Sequence, residues 1–172
     1  FAFPVAAIWA FATLGFAPNV PLKTTRTSIS AVEKSIDSHI QRLSLEDPYY
    51  LLGMTRGVYV SGFGVVFSTE VNLVANAAIT PFRPKFTKEE LIKLREKKQA
   101  RAIELRQQMQ NMLINAVWQM DTLPPDENVV LGISIYYFNW EDSAGLPRQI
   151  VMKANRKAII TTSRSDTAAL NA

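Results

Sequence analysis

Few side chains in this sequence are equipped for chemistry. His39 is the single histidine and there is no cysteine in the 172 residues, so thiolate nucleophiles, zinc–thiolate sites and disulfides are excluded. A nucleophilic triad built on His39 lacks the Gly-x-Ser-x-Gly elbow that exposes a serine. The expected role of His39 is a partly buried side chain beside an apolar helical face. Carboxylates remain: Glu70 on the polar side of a strand, Asp121, Asp126 and Glu127 around a connector, and Glu141-Asp142 in a hairpin loop. Paired carboxylates can run acid–base chemistry or hold a divalent cation, whereas acidic residues in loops more commonly form turns. Gly62-Phe63-Gly64 lacks the third glycine and the following helix of a dinucleotide fingerprint, and no P-loop, His-Glu-x-x-His or EF-hand pattern occurs. No catalytic residue, metal ligand or cofactor is assigned.

Binding chemistry has two candidates. Lys85, Lys88, Lys93, Arg95, Lys97, Lys98 and Arg101 form a basic set interleaved with Glu89, Glu90, Glu96 and Glu104. The mixed charge and the absence of an RNA-recognition signature argue against nucleic acid; an acidic partner or anionic membrane surface suits the set better. Trp140, at a strand end beside Glu141-Asp142, is of the type that anchors a partner or covers a core edge. Trp140, Lys93, Lys97 and Arg101 are the candidate partner contacts.

These residues are positioned by a predicted α+β fold. Thr87-Lys-Glu-Glu90 is a capping box opening a helix that runs to Met120. Its first half, to Arg101, is charged and is expected to project into water. From Ala102 the apolar residues Leu105, Met109, Met112, Leu113, Ala116, Val117 and Met120 share one face. An earlier helix carries Ile29, Val32, Ile36, Ile40 and Leu43, with Ser30 as its predicted cap. Val65, Phe67, Thr69, Val71 and Leu73 alternate with Val66, Ser68, Glu70 and Asn72, as in a half-buried strand. Val58 and Val60 form a shorter strand joined to it by the Ser61–Gly64 turn. Residues 128–138 and 148–154 give a second hairpin. The expectation is a four-stranded antiparallel sheet from two hairpins, ββ-α-ββ, on one long helix.

Residues 1–17 carry no charge. As a helix they would be about 25 Å long, close to the roughly 30 Å of a bilayer core. Phe1, Phe3, Val5, Ile8, Trp9, Phe11, Leu14 and Phe16 are the expected membrane anchor, with Ala10-Phe11-Ala12 as an alternative signal-peptide cleavage site. The opening also resembles processed type IV pilins, although Val5 stands where those proteins carry glutamate. The domain limits expected are an anchor over 1–20, one α+β domain over 21–160 and a tail over 161–172.

The run Gly57–Phe67, continuing through Glu70-Val71-Asn72-Leu73, together with Phe138-Asn139-Trp140-Glu141-Asp142 and Gly145-Leu146-Pro147, resembles a family of uncharacterised, predicted exported bacterial proteins. The similarity covers roughly residues 47–160. It implies export and an envelope setting, and brings no catalytic residue with it.

The function expected is a non-catalytic accessory or structural subunit of a membrane assembly. It is held by lipid through the N-terminal segment, with its domain on the periplasmic side and other protein subunits as partners. Two alternatives stand beside it: a periplasmic small-ligand or metal-binding domain using carboxylates near Asp126 and Glu141, and a pilin-like fibre subunit.

Overall fold

A computed structural model describes residues 24–44, 46–74 and 86–162. The chain is α+β, with three helices on a mixed five-stranded sheet. Helix α1 spans Arg26–Arg42; strands β1, β2 and β3 span Tyr50–Leu51, Arg56–Val60 and Gly64–Asn72. Helix α2 spans Lys88–Gln119, strands β4 and β5 span Asn128–Ile135 and Gln149–Asn155, and a short helix α3 covers 156–162. The predicted N-terminal apolar segment lies outside the described residues. Among the described residues, no helix is long and apolar enough to cross a membrane.

The sheet corrects the all-antiparallel expectation. β2 and β3 form a hairpin, and β4 and β5 pair antiparallel, but β3 and β4 run parallel from Gly64↔Asn128 to Val71↔Ile135. A hairpin sets the direction of its own two strands and says nothing about the next hairpin. Here α2, about 48 Å long at 1.5 Å per residue, carries the chain back along the sheet, and such a return makes its flanking strands parallel. β1 adds to the same side of β3 as β2, through Tyr50↔Asn72 and Leu51↔Val71. That fifth strand is too short for periodicity to reveal.

The parallel register begins where two backbones nearly touch. Asn128 donates from its backbone N and from Nδ2 to the Phe63 carbonyl. Gly64, at φ +130°, leaves no room there: a Cβ would lie 1.9 Å from the Asn128 oxygen.

α2 has the predicted cap. Thr87 accepts from Glu90 N, and the Glu90 carboxylate accepts from Thr87 N. Leu105, Met109, Met112, Ala116 and Val117 are buried against Val65, Phe67, Val71, Leu131 and Ile133. α1 starts earlier than its expected Ser30 cap, because Thr25 accepts from Ser28 N. Glu33, three residues after Ser30, is therefore no capping partner. It takes a two-pronged ion pair from Arg26 and the backbone N–H of Gly57, fastening α1 to β2. Asp37 does the same for the preceding loop by accepting from Thr55 N and Oγ1.

The charged half of α2 is the second correction. It stands in solvent at Lys88, Glu89, Lys93, Glu96 and Lys97, but Lys98 and Arg101 are buried and find anionic partners in two loops.

Candidate functional site: the groove between the β5 edge and helix α2

The Asn139–Pro147 loop is tied to α2 by charge. Lys98 Nζ lies 2.6 Å from Glu141 Oε2, with side-chain exposures of 1% and 4%. Its ammonium also sits 5.0 Å from the centre of the Tyr137 ring. Burial lowers the Lys98 pKa, and the Glu141 carboxylate only partly offsets this. One turn earlier, Arg95 donates to the Asp142 carboxylate and to the Ala144 carbonyl. Glu141 and Asp142 are therefore each engaged by a cation of their own.

Asp47 anchors the other side. Lys97 and Arg101 approach its carboxylate to 2.5 and 2.7 Å, and Arg101 Nη2 donates to the Asp47 carbonyl. The Arg101 guanidinium lies 4.0 Å from the centre of the Tyr49 ring. Burial and a hydrogen bond to Glu104 push the Tyr49 hydroxyl up to about 12. Glu127 sits at the far end of β4, accepting from Tyr59 Oη and Gly62 N.

This arrangement separates the sequence candidates. Asp126 and Glu141 lie beyond opposite ends of β4, whose eight residues span about 25 Å, so no common cleft joins them. Among the described residues no cluster of three or more His, Asp or Glu side chains could hold a metal. His39 lies between α1 and α2, beside Val32, Ile36 and Met112. Of the partner-contact candidates, Lys97 and Arg101 meet on Asp47, and Lys93 stays exposed. Trp140 is stacked between Phe86 and Phe138, with centroids 4.8 and 5.2 Å away.

What the fold leaves open is an edge. β5 is the last strand of the sheet, and no described strand pairs with its outer side. Ile135 N donates to Arg148 O at one end of β5 and Arg156 N donates to Glu127 O at the other. Both bonds fit the register from Ser134↔Gln149 to Asn128↔Asn155. Hydrogen-bonded positions alternate in an antiparallel pair, so the even-numbered residues of β5 bond to β4. Gln149, Val151 and Lys153 point their N–H and C=O groups outward.

Beside that edge runs an open groove of about 460 Å³ between β5, α2 and the 145–147 turn. Its walls include Ala102, Ile103, Arg106, Leu146, Ile150 and Met152. Ile103 forms an exposed apolar lip, at 57%, while the Val151 side chain lies over Gly132 on the other face of the sheet. Among the described residues, Arg106 is the only charged one lining it.

No family model, curated protein or solved structure matches this chain.

Ile103 and Arg106 were not among the residues the sequence reading singled out. Ile103 falls off the core face of α2, and Arg106 follows the dense basic run as one more cation. The available signal is an isoleucine on the polar side of an amphipathic helix.

Proposed function

We propose that this chain is a non-catalytic accessory subunit of a larger envelope assembly, held at a membrane by residues 1–17, with its α+β domain offered to other protein subunits. The observation that carries this reading is the open sheet edge lying beside an apolar-lipped groove. That surface is built to be covered by another polypeptide rather than to activate a small substrate. Three further facts support it. Residues 1–17 carry no charge. The carboxylates of the hairpin loop are neutralised by Arg95 and Lys98. Lys97 and Arg101 of α2 fasten the loop at Asp47, which fits a rigid presenting surface.

The test is isolation of the native protein from membranes in mild detergent. The expected result is release only with detergent, in a complex with other chains. Recovery as a free soluble monomer with residues 1–17 intact overturns the reading.

A further inference from the structure

We propose that the β5–α2 groove binds an extended, aliphatic, acidic segment of a partner protein, which adds to the sheet as a sixth strand beside β5. This rests on the accessory-subunit reading above and names the partner's chemistry.

Three observations converge. The first is the backbone. Gln149, Val151 and Lys153 present N–H and C=O groups that no described strand pairs, in the spacing an added strand requires. Three such positions match a segment of about five residues, some 17 Å long. Exposed edges are usually blocked by proline, bulges or charge, lysine above all. β5 has no proline between Gln149 and Asn155, and Lys153 is the only charge along it.

The second is the side-chain floor. In an added strand alternate side chains point to the helix side of the sheet. There they meet Ala102, Ile103, Leu146, Ile150 and Met152, which favours aliphatic residues.

The third is charge. Arg106 lines the groove and has no hydrogen-bond or ion-pair partner among the described residues. Glu104, two residues before it, is held by the Tyr49 hydroxyl and does not neutralise it. Arg148 just before β5 adds a second cation near the loop end, where it donates to Ser143 Oγ. A second copy of this chain would bring an identical cationic rim against this one, so an acidic segment is the complementary occupant. Arg95 fixes the loop end of the groove through Asp142 and Ala144. Arg106 lies eleven residues further along α2, about 16 Å, so the partner's carboxylate belongs at the Met152 end.

The test uses the full chain in detergent and fluorescently labelled peptides alternating Val and Ser with one terminal Glu. Three controls accompany them: a Gln-for-Glu version, a version N-methylated at alternate residues, and a Pro-interrupted version. The expected result is saturable binding of the Glu peptide, weakened about tenfold by Arg106→Gln. The same substitution leaves the weaker binding of the Gln peptide unchanged. N-methylation abolishes binding, as does Val151→Pro, which removes an outward N–H without touching the β4 ladder.

No saturable binding up to about 1 mM, or binding indifferent to both N-methylation and Arg106→Gln, overturns the proposal. A concentration-dependent dimer abolished by Val151→Pro also overturns it, by assigning the edge to a second copy. The N-methylated peptide decides the matter even if Val151→Pro unfolds the domain. Partner chains that still co-purify with the Val151→Pro protein leave the accessory-subunit reading standing while removing this groove from it.

Discussion

The ammonium of Lys98 and the carboxylate of Glu141 lie 2.6 Å apart with almost no solvent access, joining the first half of α2 to the loop that follows β4. Both charges have left water, which costs several kcal/mol per ion before their attraction is counted. Glu141 Oε1 has no hydrogen-bond partner, so the pair is imperfectly satisfied. Its worth is positional: it holds the 139–147 loop on α2, and that loop supplies Leu146 to one wall of the groove.

Removing one partner exposes that imbalance. Lys98→Met should cost about 3–5 kcal/mol, because it strands a buried carboxylate. Lys98→Met with Glu141→Leu should regain most of the loss. Urea unfolding of the two single variants and the double variant measures it. A cost below about 1 kcal/mol for Lys98→Met would show a solvated, weakly coupled pair.

Acid should weaken the fold through Glu33 and Asp47. Burial raises both pKa values, but the Arg26 and Gly57 bonds to Glu33, and Lys97 and Arg101 at Asp47, more than offset it. Both therefore lie below their ordinary values of 4.5 and 3.8. As pH falls the unfolded chain takes up protons first. The stabilisation is fully present above those ordinary values and is lost as pH drops through the folded ones. Glu33→Gln and Asp47→Asn should each lower stability at neutral pH and flatten its decline between about pH 5 and about pH 2. Unchanged slopes in both variants would refute the assignment.

Two neighbouring glycines should behave differently. Gly62 has φ +77° with open space around its Cβ position, so Gly62→Ala should cost about 1 kcal/mol, the conformational penalty alone. Gly64→Ala adds a collision with the Asn128 backbone. It should cost at least about 3 kcal/mol or displace the start of the parallel pair. Equal thermal shifts for the two variants would contradict the close approach.

The aromatic stack makes a spectroscopic prediction. Trp140 lies between Phe86 and Phe138 at interplanar angles of 19° and 13°, and Tyr136 meets Phe138 edge-on. Trp140→Leu should remove much of the near-ultraviolet circular dichroism and cost about 1–2 kcal/mol. Trp118→Leu, on an exposed face of α2, should do neither. Equal spectral losses in the two variants would mean that Trp140 is no more constrained than Trp118.

The sequence by itself determined the elements whose residues answer to a local period or a local bond. The capping box at Thr87 and Glu90 depends on neighbours three positions apart. The core face from Ala102 to Met120 and the alternation from Val65 to Leu73 follow from the geometry of a single helix or strand. Only the tertiary structure decided that β3 and β4 run parallel, because that depends on the path α2 takes across the sheet. It also decided that Lys98 and Arg101 go inside. A charged run reads as solvated until a distant Glu141 or Asp47 arrives to pair with it. The groove belongs to the same class: Ile103 and Arg106 are unremarkable along the chain, and meet Ile150 and Met152 only where α2 lies beside an edge strand whose outer side no described strand pairs.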